Sequence, residues 1–311
     1  MAVEFHVTET EKGQRLDVYL ASQTRLTRSQ INKLIKDAHV SHNGQPARHG
    51  CKIRQGDVAI VDFPPPQDGE LTPQEIEIDV PYEDKHLMVV DKPPGMPMYP
   101  GAGHRADTLM NAVKWRAAIL ANIGGPLRPG VVHRIDKDTS GLVVIALDEP
   151  SYYGLVEQFK DRTIKRKYLA LIYGSMKAPE GQITLPIGRS KSDRKKMSTV
   201  SDRHKPAVTN WRTLKTFKGA SLVEAVLSTG RTHQIRVHFS AVGHPVLGDQ
   251  TYGMKTFVTQ GKIHIPRQML HAALLGFVHP VTGRYLEFSS HPPADMEHIC
   301  SLLEAECYNS K

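Results

Sequence analysis

Short apolar runs separated by polar turns dominate the later two-thirds of the chain. "LMVV", "GLVVIAL", "KYLALIYG", "SLVEAVLS", "THQIRVHF" and "RYLEFSS" each have the length and the β-branched or aromatic content of a strand. Helical spacing of apolar residues is rarer there, in "TLMNAVKWRAAIL" and "SYYGLVEQFK". Strands outnumber helices without strict alternation, so the pattern predicts an α+β domain built on a mixed, mostly antiparallel sheet.

The start of the chain reads differently. Leu16, Tyr19 and Leu20 share one helical face, and Ile31, Leu34, Ile35 and Ala38 share another. Thr27 and Gln30 have capping-box spacing at the start of the second helix, whose opposite face carries Arg28, Asn32 and Lys36. Val40, a turn at Asn43-Gly44 and the strand "DVAIVD" follow. Residues 13–63 therefore form a small α/β unit. Pro64, Pro65, Pro66 and Pro73 mark residues 64–80 as a linker, and residues 81–311 are the main domain.

Charge adds one inference. The formal net charge is +8, which favours a polyanionic partner, although a basic balance alone is a weak signal. Aromatic residues are only 6 %, too few for a broad stacking surface. The longest apolar run, Leu142 to Leu147, is too short for a membrane span. The first ten residues carry Glu4 and Glu9 and lack a basic-then-apolar leader pattern. Cys51, Cys300 and Cys307 have no CxxC spacing, which suits a reducing, cytoplasmic setting.

Candidate chemistry concentrates in "VVHRIDKDTSGLVVIA", residues 131–146. Apolar flanks anchor it in a sheet, while His133, Arg134, Asp136, Lys137 and Asp138 must reach a wet cleft. Asp136 and Asp138 could serve hydrolysis or bind magnesium, with Asp249 as a further acidic ligand of a nuclease. Arg134 and Arg231 could instead hold one aspartate ionised, as a nucleophile or base. Ser140 near His133 raises a hydrolase, but no GxSxG elbow supports it. Residues 228–249 carry Arg231, His233, Arg236 and His238 on what reads as one strand, where a spacing of five puts the two histidines on opposite faces and argues against a metal site. Gly101 and Gly103 lack the third glycine of a dinucleotide loop, and no GxxxxGK[ST] occurs. By itself, Tyr168 in "RKYLALIYG" reads as a core tyrosine.

"HRIDKDTSGLVVIA" resembles the signature of the RluA/RluD family of pseudouridine synthases, and the likeness continues in order through "DKPPGM", "RKYLALIYG", "TGRTHQIRVHF", "HPVLGDQTYG" and "QMLHAALLGFVHP". The N-terminal order "GQRLDVYL", basic helix, "VSHNG", "IRQGDVAIVD" resembles an S4 RNA-binding module. With "YPGAG" and "RPGVVHRIDKDTSG", the pattern is closest to the D type, which acts on the large ribosomal subunit. Departures are Ile135 for the usual leucine, Tyr99 where histidine is common, and Gln250 for a common proline.

The resemblance implies a pseudouridine synthase fold and an RNA substrate, large-subunit ribosomal RNA or its precursor particle, with transfer RNA or both as the alternative. It implies a catalytic Asp136, a Tyr168 that stacks on the target base, and an Arg231 that pairs with Asp136. Arg134 would fill the gap left by the flipped uridine, Leu270 would pack beneath the tyrosine, and Gln234 and Arg236 would support the cleft. Arg15, Arg28, Asn32 and Lys36 would contact RNA from the first unit. Isomerisation breaks a C–N bond, turns the base and forms a C–C bond with no redox change, so no cofactor and no metal are expected. A stacked uridine must first be flipped out, at a few kcal/mol. Whether the aspartate attacks the sugar or takes a proton from it stays open. A non-catalytic RNA-binding protein would require the aspartate, tyrosine or arginine to be missing, and none is. A monomer is expected.

Overall fold

The computed structural model describes residues 2–24, 26, 28–62, 71–101, 104–117, 120, 123–193, 196–253, 257–258 and 263–308. The chain divides into two compact units, Met1–Glu70 and Leu71–Lys311. No helix among the described residues is long and apolar enough to cross a membrane.

The first unit runs β1 (Ala2–His6), α1 (Leu16–Gln23), α2 (Arg28–Lys36), β2 (Val40–His42), β3 (Gln45–Pro46) and β4 (Val58–Asp62). Its antiparallel sheet has the order β1-β4-β2-β3. Leu16, Tyr19, Leu20, Ile31 and Ile35 from the helices pack on Val40, Ala59 and Val61 from the sheet. Asn43 and Gly44 take positive φ, 52° and 75°, in the two-residue loop joining β2 to β3. The unit begins earlier than the helical pattern indicated, because β1 pairs with β4 from Ala2 opposite Asp62 to His6 opposite Val58. Thr27 and the side chain of Gln30 lie outside the described residues.

The second unit contains β5 (Asp79–Glu83), β6 (Leu87–Lys92), α3 (Leu109–Arg116), β7 (Ser140–Ala146), α4 (Glu149–Asp161), β8 (Lys165–Tyr173) and β9 (Glu180–Ile183). It continues with β10 (Ile187–Arg189), β11 (Met197–Ser198), β12 (His204–Lys205), β13 (Thr209–Phe217), β14 (Ala220–Leu227) and α5 (Gln234–Ala241). β15 (Phe257–Val258), β16 (Ile263–His264), β17 (Leu270–Val278), β18 (Tyr285–Ser289) and α6 (Ala294–Tyr308) complete it. Nine strands form the main sheet, in the order β5-β6-β7-β17-β8-β14-β13-β9, with β18 beside the second half of β17. Among the described residues only the β7–β17 pairing of this sheet is parallel, so the sheet is mixed and mostly antiparallel.

β7 is buried along its whole length. Val143 and Ile145 enter one core with Met88, Ala170 and Phe239, while Leu142 and Val144 enter another with Leu155 and Phe277. Burial on both faces explains its unbroken apolar run. Gly141 has φ +107°, and a Cβ there would lie 2.3 Å from the Ala272 carbonyl oxygen. The glycine of "TSGL" thus lets β17 close against β7 beside the charged loop.

Two expectations are corrected. Residues 71–80 belong to the packed second unit, not to a linker: Leu71 is buried in its core, and Asn111 Nδ2 donates to the Thr72 carbonyl at 2.7 Å. Proline forbids a regular helix there, but an extended segment still packs. Residues 63–70 lie outside the described residues. "THQIRVHF" is not a strand, because residues 234–241 form α5. Ile235, Val237 and Phe239 alternate, but Ile235 and Phe239 are also four apart, so the apolar pattern fits either period.

Candidate active site

The loop before β7 is fixed from several sides. His133 Nε2 accepts the Val144 backbone N–H at 3.0 Å, and the ring stacks on Phe159 at 4.7 Å. Desolvation presses its pKa down to about 3, and the Arg166 charge adds to this, so the ring is a neutral acceptor. Lys92, fully buried, donates to the carbonyls of Pro93, Met96 and Lys137 at 2.7, 2.9 and 2.9 Å. Burial lowers its pKa to about 7. Arg267 Nη1 holds the Asp138 carbonyl at 2.9 Å. Ser140 does not meet His133; its hydroxyl lies 3.0 Å from Nδ1 of buried His271, so the Ser140–His133 hydrolase reading fails.

Asp136 emerges at the centre of this loop. Its Oδ2 accepts Arg236 Nη1 at 2.7 Å. Buried Asp249 takes the other edge of the same guanidinium, at 2.7 Å from Nε and 2.9 Å from Nη2. Asp249 also accepts the backbone N–H groups of Thr251 and Tyr252 at 2.9 and 3.0 Å. Desolvation opposes the Arg236 charge, but Asp249 and Asp136 outweigh it and raise its pKa above the ordinary value. Burial pushes the Asp249 carboxyl up, but Arg236 and the two backbone donors bring it below the usual range.

The arginine paired with Asp136 is therefore Arg236 and not Arg231. Arg231 precedes α5 and donates from Nε to the Pro206 carbonyl at 3.2 Å. The helix brings forward positions 233 and 236, three residues apart and so on one face. His233, the N-cap of α5 at φ +56°, places Nε2 3.6 Å from Asp136 Oδ1. The Tyr252 hydroxyl oxygen accepts the Met197 N–H at 2.8 Å and stands 2.7 Å from His233 Nδ1. With Tyr252 as the donor to Nδ1, the neutral ring carries its proton on Nε2, toward Asp136. Burial depresses the His233 pKa, against the pull of Asp136.

These groups open on a cavity of about 480 Å³. Tyr168 and Leu270 line it. In the sheet Ala272 faces Tyr168 and Leu270 faces Ala170, so the two side chains are diagonal neighbours on one face. Burial raises the Tyr168 pKa. Arg134 is exposed at the mouth, where Nη1 donates to the Tyr99 hydroxyl at 2.8 Å and the guanidinium lies 5.4 Å from the Tyr99 ring centre. The lining carries Arg134, Lys160, Arg162, Arg166, Arg231 and Arg236 against one carboxylate, Asp136. Sequence reasoning missed Lys160, Arg162 and Arg166, whose signal was a basic cluster between a helix and a strand. α4 delivers Lys160; it starts at Asp148, whose carboxylate accepts the Ser151 N–H at 2.8 Å, and ends at Arg162, at φ +62°.

Gln234 does not point a free amide at a substrate. Its Oε1 accepts Thr229 Oγ1 and the Arg231 N–H at 2.7 and 3.0 Å, and its Nε2 donates to the Val208 carbonyl and Thr209 Oγ1, both at 3.0 Å. All four hydrogen-bonding positions of the amide are used by the protein. It fixes the start of α5, and with it the place of His233 and Arg236.

In the first unit, Asp17 collects three of the four expected RNA contacts. Arg15 Nε, Arg28 Nη2 and Asn32 Nδ2 reach it at 2.8, 2.9 and 3.2 Å. Burial pushes this carboxyl up, but the bonds from Arg15, Arg28 and Asn32 outweigh it and hold it well below the usual range. Both arginines remain exposed, as does Lys36.

A metal-dependent reading does not fit the donor geometry. The Arg236 guanidinium occupies the space between Asp136 and Asp249 where a cation would sit. His238 is spent on Thr209 Oγ1 and the Leu185 carbonyl, each at 2.9 Å. Among the described residues no group of three His, Cys, Asp or Glu could hold a metal ion.

A mixed sheet carries a charged loop, an aspartate held by an arginine and a cationic cavity lined by a tyrosine. Residues 86–241 match the family described as RNA pseudouridylate synthase. The chain belongs to that family, and it is a pseudouridine synthase, an isomerase. It is 44 % identical to "Ribosomal large subunit pseudouridine synthase D" of Zymomonas mobilis subsp. mobilis, over 96 % of each chain. It is 40 % identical to "Uncharacterized RNA pseudouridine synthase YlyB" of Bacillus subtilis, over 97 % of this chain and 98 % of the relative. Among solved structures, "Human RNA Pseudouridylate Synthase Domain Containing 1" superimposes with a TM-score of 0.57 at 26 % identity, covering 75 % of this chain and 96 % of that one.

Proposed function

We propose that this enzyme isomerises uridines of large-subunit ribosomal RNA, free or in a precursor particle, and that Asp136 is the catalytic residue. The observation that carries the site reading is the carboxylate of Asp136, 2.7 Å from Arg236, at the edge of the cavity lined by Tyr168 and Leu270. The flipped uracil stacks on Tyr168 with Leu270 beside it. Arg236 fixes one carboxylate oxygen, and the Nε2–H of His233 faces the other. Arg134 enters the helix in place of the uridine, which offsets part of the unstacking cost. The first unit serves as an S4-like RNA-binding module, with Arg15, Arg28 and Lys36 toward phosphates and Asn32 bracing Asp17. The enzyme acts as a monomer in the cytoplasm. Similarity to synthases named for the large ribosomal subunit supports the target.

A pseudouridine map of total RNA, with and without the gene, tests this reading. Loss of one or more pseudouridines from large-subunit ribosomal RNA is expected. Losses confined to transfer RNA would overturn the target, and an unchanged map would overturn the function.

A further inference from the structure

Arg166 differs from the other cations of the cavity. It is only 8 % exposed, and its Nε is buried without a hydrogen-bond partner. No carboxylate pairs with it among the described residues. One face of the guanidinium lies 5.3 Å from the Phe159 ring centre, a contact that uses none of its N–H donors. Its Nη1 packs against Gly230, where a Cβ would lie 2.9 Å away. Arg166 and Tyr168 alternate along β8, so both side chains leave the same face of the sheet, and both line the cavity.

Burying a guanidinium without a counter-charge is unfavourable, and the Phe159 contact offsets only part of that cost. An anion arriving in the cavity would supply what is missing. Lys160, Arg162 and Arg231 line the same cavity and add to the positive field, which a neutral carbonyl would leave uncompensated. We propose that Arg166 is the core of a phosphodiester subsite, holding a backbone phosphate of the RNA next to the nucleotide stacked on Tyr168. Planar paired donors suit two phosphate oxygens at once. The subsite rests on the reading that this cavity receives the flipped uridine.

The test compares Arg166→Met and Arg166→Lys with the parent protein, on an unmodified large-subunit ribosomal RNA transcript, with Asp136→Asn in parallel. Arg166→Met is expected to raise the half-saturating RNA concentration about tenfold and to lower the slope of log affinity against log salt by roughly 0.7–0.9. Its Tm in the absence of RNA is expected to be equal or higher, since a buried charge without a partner is removed. Arg166→Lys should retain most of the salt slope. An unchanged slope in Arg166→Met overturns the subsite, including the case where affinity still falls because the partner is a neutral uracil carbonyl. A lowered Tm or a lost fold overturns it too, because the arginine would then serve the protein's own structure. Parental turnover by Asp136→Asn would remove the site reading itself, whatever Arg166 does.

Discussion

Each unit is organised around a buried charge, and the two have opposite signs. In the first, one buried carboxylate, Asp17, gathers Arg15 and Arg28, whose side chains stay 46 % and 56 % exposed. In the second, one buried guanidinium, Arg236, gathers Asp249 and Asp136; Asp249 is enclosed, while Asp136 is 17 % exposed toward the cavity. The hub is inside, and the charge it steadies is turned to solvent in the first unit and to the cavity in the second. Outward arginines suit a phosphate backbone, whose contacts supply affinity with little geometric demand. An outward carboxylate suits chemistry on one atom and has to be fixed closely. On the proposed reading, the same pairing gives a binding surface in one unit and a reactive group in the other.

Removing a hub should separate the two cases most sharply. Arg236→Met leaves Asp136 and Asp249 facing each other without their cation. Breaking a buried pair costs about 3–5 kcal/mol, and with that cost borne by the transition state the single-turnover rate at saturating RNA should fall roughly 10²–10⁴-fold. A drop under fivefold would show that the carboxylate does not depend on its arginine. Asp17→Asn should act on binding instead. The loss of one charge-assisted acceptor costs about 1.5–3 kcal/mol, discounted here because both arginines are largely exposed. RNA affinity should fall about five- to tenfold, with the change in half-saturation and not in the rate at saturation; a purely kinetic defect would break the comparison. Arg28→Met, which removes an outward charge and spares its hub, should cost about 1 kcal/mol and flatten the salt dependence by roughly one phosphate. An equal loss of affinity in low and high salt would show that Arg28 makes no phosphate contact.

Acid should also tell the units apart. A histidine whose folded pKa lies below its unfolded value gives stability that is complete above about 6.5 and lost as pH falls toward the folded pKa. For His133 the window runs from about 6.5 down to about 3. Asp17, held low, keeps its contribution until pH drops below the ordinary carboxylate range. Replacement of His133 by Gln should therefore flatten the fall of stability between pH 6.5 and 3, by at most about 1.4 kcal/mol for each pH unit, and the fall of Tm with it. Parallel Tm curves for variant and parent would place the acid sensitivity elsewhere.

How much of this was legible in the sequence depended on the element. The strands around residues 131–146 could be read because burial on both faces leaves a continuous apolar run. Asp136, Tyr168, Leu270 and Arg134 could be placed together by motif order. Arg236 could not be told from Arg231, because residues 232–239 satisfy both the strand and the helix period. The usable signal was the three-residue step from His233 to Arg236. Arg166 was hidden more deeply: a basic residue at a strand start normally reads as solvated, and only tertiary packing against Phe159 and Gly230 buries it. Lys92 was missed for the same reason, since its partners are three backbone carbonyls that no side-chain pattern encodes. Gln234 was expected to support the cleft, but the sequence of an amide does not reveal which groups satisfy it.

The most direct test of the account is Asp136→Asn, assayed for single-turnover pseudouridine formation at saturating RNA and for RNA affinity in the same preparation. Asparagine keeps the shape and the volume but cannot act as a base or a nucleophile, while the phosphate contacts that give most of the affinity are untouched. The account predicts turnover below detection with affinity within about threefold of the parent. Turnover within tenfold of the parent would contradict it, and the chemistry would have to be assigned to another group in the cavity.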